Sequence, residues 1–100
     1  MADLPKLDPI FHQPVRTRLT VLLSCEPRSF TQLKSKLSIT DGNLDAHLRK
    51  LSAAGYLHSQ MVFEGRPHTF YELSASGAKA FKLYLEAMGT LIDQASREAS

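Results

Sequence analysis

Chemistry has few places to happen in this 100-residue chain. Its one cysteine, Cys25, and its four histidines do not gather at metal-ligand spacing, so no zinc site is expected. No glycine loop matches a phosphate cradle, and neither a nucleophile elbow nor a working pair of carboxylates is visible. An enzyme, a cofactor and a metal are therefore not predicted. What remains is hydrogen bonding from one short stretch, Thr40-Asp-Gly-Asn-Leu-Asp-Ala-His-Leu-Arg-Lys-Leu-Ser-Ala-Ala-Gly55. At about 100° per residue, Gly42, Ala46, Arg49 and Ala53 share one helical face, with Asn43, Asp45 and Lys50 on its flanks. Small residues allow close approach, and the amide, guanidinium and ammonium groups can donate to base edges or to phosphates. A plain solvated helix face looks similar, so the surrounding elements decide between the two.

Those elements can be read from start and stop signals. Thr40 caps the helix, Asp41 favours the positive end of its dipole, and Gly55 suits the left-handed residue that ends it. Leu44, Leu48 and Leu51 form the buried stripe, and His47 at its edge reads as a hydrogen-bonded boundary residue. Upstream, residues 1–8 read as a flexible arm and Pro9-Ile-Phe-His as a short turn. A helix then starts near Pro14, with Val15, Leu19, Leu22 and Leu23 inward, Arg16 and Arg18 directed elsewhere, and Cys25 packed at its end. Ser29-Phe30 is a short extended piece. Thr31 is expected to cap a second helix through Leu37, with Leu33 and Leu37 inward and Lys34 and Lys36 outward. Ile39 plugs the corner between the second and third helices, which form a helix-turn-helix.

After Gly55 the period changes. Tyr56 to Phe63 and His68 to Leu73 read as the strands of a hairpin, with Gly65 and Arg66 as its loop. That register sets Phe63 against His68 and leaves open which side packs inward. Ser74 caps a last helix whose Phe81, Leu85, Met88, Leu91, Ile92 and Ala95 recur mostly at threes and fours. Its length, about 34 Å at 1.5 Å per residue, exceeds what a domain with a radius of gyration of about 13 Å can cover. The uncovered stripe therefore predicts a homodimer seam, and a ligand-gated version would need a cavity near Phe81, Leu85 and Met88.

One core fits in this length, with 43% apolar and 22% charged residues. No apolar run would span a bilayer and no secretory leader is visible, so a cytoplasmic protein without membrane contact is expected. A net charge of +2 implies no polyanion partner by bulk charge alone.

The order helix, short strand, helix, helix, hairpin, helix resembles a winged helix-turn-helix domain, an α+β fold. It is similar to the small stand-alone regulators near the ArsR and MarR groups. The residues that carry the resemblance are Pro14-Val-Arg-x-Arg-Leu, Ser29-Phe-Thr-x-Leu, Thr40-Asp-Gly-Asn-Leu-x-x-His-Leu-x-x-Leu, Ala54-Gly-Tyr-Leu and Tyr71-x-Leu-Ser-x-x-Gly, over residues 8 to 92. It implies a three-helix core and a two-stranded wing in residues 9–73, and a dimerisation helix in 74–100. The implied function is a sequence-specific, double-stranded DNA-binding homodimer that regulates transcription, as a repressor on a pseudo-palindromic site. Asn43 or Lys50 would then reach base edges or phosphates, Ala46 a thymine methyl, and Arg49 guanine or phosphate. Asp45 would accept from a cytosine amino group or hold Arg49. Arg66 would meet the minor groove, with Thr31, Lys34, Lys36 and Thr40 on phosphates. Asp41 and Asp45 leave the third helix near neutral, so a winged-helix module that docks on a protein is the alternative. Neither an effector nor redox sensing through Cys25 can be read from the sequence.

Overall fold

Each helix begins where a side chain satisfies an amide of its first turn. The computed structural model describes residues 6–99. Asp8 accepts from the Ile10 N–H (3.0 Å) to start a 3-10 turn over Pro9–Phe11. Gln13 accepts from the Arg16 N–H (2.8 Å) to start α1, Pro14–Cys25. Helix α2, Phe30–Leu37, starts on Ser29 instead of Thr31. Ser29 Oγ accepts from the Gln32 amide, and the Gln32 side chain accepts from the Ser29 amide, so the pair satisfies two donors where a lone Thr31 cap would satisfy one. Thr31 lies inside the first turn. Thr40 caps α3, Asp41–Ala53, and Gly55 takes the left-handed conformation (φ 78°) just beyond it. Ser74 caps α4, Ala75–Glu98.

The two strands of the wing, β2 (Leu57–Phe63) and β3 (Pro67–Leu73), are joined by the short β1 (Arg28–Ser29) in one antiparallel sheet of order β1-β3-β2. The wing's register is one residue from expectation, because the loop holds three residues, Glu64 to Arg66, with Gly65 at φ 79°. Phe63 faces Pro67 and Val62 faces His68. Leu57 therefore shares a side with Ser59, Met61, Phe63, Thr69, Tyr71 and Leu73. Leu57 is buried, which makes this the inward side. His58 and His68 face Glu72 and Val62 and are not neighbours.

Phe11 sits at the centre of the core, stacked on Tyr56 (5.3 Å between ring centroids) and in contact with Phe81 (5.1 Å) and Tyr84 (5.5 Å). Leu19, Leu33, Leu44 and Leu51 complete it, all fully buried. Leu7 packs on this core, and Asp8 accepts a 2.6 Å hydrogen bond from the Tyr56 hydroxyl. The C-terminal end of the expected arm is thus fixed; residues 1–5 of it lie outside the described residues. Cys25 is exposed, since two positions past Leu23 its side chain turns away from the Leu19–Leu23 side.

Phe81 belongs to the protomer's own core, being 4% exposed, so it cannot form a seam with a second chain. The reason is geometric: the start of α4 is clamped to the residues that follow α3. Ser74 and Ser76 both donate to the Gly55 carbonyl (2.6 and 2.8 Å), and the Ser74 amide donates to the Tyr56 carbonyl (3.0 Å). Farther along, α4 leaves the body. Its 24 residues reach about 36 Å, and the molecule measures 57 × 26 × 20 Å with a radius of gyration of 15.8 Å. Leu85 and Ile92 are 50% and 62% exposed on that overhang.

Candidate nucleic-acid interface

The leucine stripe of α3 fixes which side faces out. Leu44, Leu48 and Leu51 are buried, while Gly42, Asn43, Asp45, Ala46, Arg49, Lys50 and Ala53 are exposed. The expected polar face therefore exists and is free of core contacts. It grades from an acidic edge, Asp41 and Asp45, through Gly42, Ala46 and Arg49 to Asn43 and Lys50.

One cation of this face and one on the neighbouring α2 are already paired with its carboxylates. Asp45 Oδ2 lies 2.8 Å from Arg49 Nε one turn on, and Lys34 Nζ of α2 lies 2.8 Å from Asp41 Oδ1. Of the two roles open to Asp45, the structure displays the one that holds Arg49. Both pairs are largely solvent-exposed and add little stability, on the order of 0.3–0.5 kcal/mol for the helical one. Among the described residues, Lys50 and Arg66 have no carboxylate within ion-pair distance. Thr40 accepts from the Asn43 amide (3.1 Å), and its hydroxyl proton remains available to donate outward.

The orientation of α3 is set from behind by a residue not singled out as a contact. Arg16 Nε donates to the Ile10 carbonyl (2.7 Å), and its Nη1 lies 3.3 Å from His47 Nδ1. Partial burial first, then the charges of Arg16 and Lys50, hold the His47 imidazole below its ordinary pKa. A neutral His47 can accept from the guanidinium, so the contact ties α1 to the back of α3. Sequence spacing could not reveal this pair, 31 residues apart.

Arg66 and Thr31 come together. A groove of about 330 Å³ runs between the start of α2, at Ser29, Phe30 and Thr31, and the wing at Arg66, Pro67 and His68. Tyr71, which lines the same groove, is half-buried; burial, then the charge of Asp45, pushes its phenol up. Lys36 is set apart from this surface. It lies about 140° around α2 from Thr31, in a second groove with Thr17, Arg18, Val21 and Leu22. An open apolar groove of about 580 Å³ lies where Leu7 and Tyr56 meet Ala80, Leu83 and Tyr84.

What the arrangement can do is present small and hydrogen-bonding groups on one exposed helix face, with Arg66 on the wing loop, to a surface with grooves of helix width. Comparison with known proteins gives a consistent picture. The family described as winged helix DNA-binding domain matches residues 15–92. An uncharacterised protein of Methanocaldococcus jannaschii is 40% identical over 78 residues, covering 76% of this chain and 85% of its own. A helix-turn-helix-type transcriptional regulator of the same archaeon is 30% identical over 87 residues, 86% of each chain. The solved structure of a transcriptional regulator homologue from Pyrococcus horikoshii OT3 superposes with a TM-score of 0.82 at 31% identity, covering 87% of this chain and 88% of that one.

Proposed function

The chain belongs to the winged helix DNA-binding domain family of transcriptional regulators, and from that premise we propose that it acts as a homodimeric repressor. It occupies a pseudo-palindromic site on double-stranded DNA in the cytoplasm. The carrying observation is the exposed face of α3 together with an Arg66 that has no ion-pair partner among the described residues, on a molecule whose α4 extends beyond the body with Leu85 and Ile92 largely exposed. In this reading residues 9–73 bind DNA and 74–100 pair with the twin helix. Leu85, Met88, Leu91, Ile92 and Ala95 form the seam, which sets two copies of α3 about 34 Å apart, one turn of the duplex. Asn43, Ala46, Arg49 and Lys50 meet the major groove, Arg66 the minor groove, and Thr31, Lys34 and Thr40 the phosphates. Repression needs occupancy alone, with no reacting group.

Selection of bound sequences from random duplex DNA, followed by titration at several salt concentrations, tests this. Lys34, Arg49, Lys50 and Arg66 from two protomers give a log–log salt slope of about −7 if all eight meet phosphate, and about −4 if only Lys50 and Arg66 do. A slope near zero on every duplex refutes the reading. The two ion pairs at Asp41 and Asp45 favour one rival, a module whose α3 docks on a protein; that rival predicts no selected sequence at all.

A further inference from the structure

The inward side of the wing does not end where the core ends. Leu57 is buried at the root, but Met61 is 59% exposed and Phe63, at the last pair before the loop, is 74% exposed. Phe63 faces Pro67, also exposed, and Arg66 is the last loop residue before it. The tip is thus a phenylalanine and a proline around a loop that carries one carboxylate, Glu64, and one guanidinium, Arg66, which form no ion pair with each other. Among the described residues, little covers this ring. Folding leaves it in water although a polar residue there would sit as well in an edge strand.

We propose that Phe63 is a DNA contact, an apolar wedge that the wing presses into the minor groove beside Arg66. This rests on the DNA-binding reading above. Because Arg66 is not neutralised by an ion pair with Glu64, its guanidinium can enter the most negative part of a duplex, and the same loop carries Phe63 there with it. Minor-groove proteins pair these two elements, a cation for the potential and an apolar side chain that presses on deoxyribose or partly unstacks a base step. Arginine supplies attraction without much sequence preference. Phe63 adds preference, because pyrimidine–purine steps such as TA and CA unstack most easily. Phe63 is then a specificity-determining residue at positions that α3 never touches.

The test compares wild type, Phe63→Ala, Phe63→Leu and Arg66→Ala on the duplex selected by the wild-type protein. Circular dichroism melting checks folding, which an exposed ring should not affect. Phe63→Ala should bind about tenfold more weakly, in the lower part of the range for aromatic contacts to bases, with an unchanged salt slope. Phe63→Leu should recover part of that loss. Arg66→Ala should lower the slope by about 1.8 for the dimer, two phosphate charges at 0.9 each. Repeating the selection with Phe63→Ala should erase any TA or CA preference outside the α3 half-sites. Wild-type binding with Phe63→Ala within twofold, and an unchanged selected site, overturns the wedge alone. Failure of the wild type to bind any duplex overturns the DNA reading beneath it, and points the apolar tip toward a protein.

Discussion

Gly77→Ala asks the first turn of α4 to accept one methyl group, and the structure leaves no room for it. A Cβ there would lie 2.2 Å from the Tyr56 carbonyl oxygen and 2.9 Å from its carbonyl carbon and Cα. These are backbone atoms at the end of α3, where the Tyr56 amide donates to the Leu51 carbonyl (3.0 Å). Heavy atoms settle near 3.5 Å, so α4 must retreat by about 1 Å. That movement pulls on three hydrogen bonds: Ser74 and Ser76 to Gly55, and the Ser74 amide to Tyr56. Overpacking costs about 1–3 kcal/mol and each lost hydrogen bond about 1, while alanine's helix preference returns about 1. The net loss is about 3 kcal/mol, or about 12–24 °C for a domain of this size. Gly89→Ala is the control, since nothing lies within 4 Å of its Cβ position; it should stabilise by about 0.5–1 kcal/mol. Urea unfolding at one fixed protein concentration reads both. A Gly77→Ala protein as stable as wild type would refute the claim that contact with Tyr56 dictates glycine there.

Asp45→Asn frees Arg49 and removes a carboxylate that repels phosphate, so random duplex should bind a few-fold more tightly at low salt, with stability changed by less than about 0.5 kcal/mol. A tenfold loss confined to the selected site would show instead that Asp45 reads a cytosine. His47 has a lowered folded pKa, so the unfolded chain takes up its proton first as pH falls below about 6.5. Its share of stability is complete above pH 7 and declines as pH falls through the unfolded value toward the folded one. His47→Gln should therefore show a smaller fall in unfolding free energy between pH 7 and pH 5; curves parallel to wild type across that window would dismiss the effect. Ile92→Glu with Leu85→Glu, both on the exposed overhang, should leave a folded protomer of half the wild-type mass in light scattering, and equal masses would remove the seam from α4.

The helices were legible because their signals are local. Thr40, Gly55 and Ser74 each act on an amide or a backbone angle within a few residues, and the leucines of α3 repeat within one element. Misreadings arose where two neighbours compete for one role. Ser29 and Thr31 can both cap, and only Ser29 has a glutamine at the distance that closes the reciprocal pair. Gly65 accommodates either loop length, and one residue of difference moves every wing partner. Phe81 fits the apolar period of α4 as well as Leu85 does; what separates them is the clamp of Ser74 and Ser76 on Gly55, a contact across 19 and 21 residues. Thr20 and Tyr84 are buried although neither type announces it, each with its oxygen satisfied, Thr20 by the Arg16 carbonyl and Tyr84 by His12. Surface roles were harder again. Nothing in the pattern of the wing distinguishes a buried Leu57 from an exposed Phe63 on the same side, because what differs is how far the core extends along the strand.

The charge pattern gives α3 a narrower role than its central place suggests. Its carboxylates engage Lys34 and Arg49, so among the described residues few cations remain unpaired near its exposed face. Counterion release scales with the phosphates actually neutralised, so one protomer alone would hold DNA weakly. Joining two such surfaces turns the second contact into an intramolecular one, and affinity then rises by orders of magnitude without a new contact in either half. For that gain the two copies of α3 must sit rigidly at one helical turn, which a long helix clamped at its start by Ser74, Ser76 and the close approach of Gly77 to Tyr56 can enforce. In the dimeric reading, the near-neutral face of α3 is then an advantage for selectivity. Strong local attraction would hold the protein on any sequence, whereas weak halves bind firmly only where both half-sites match.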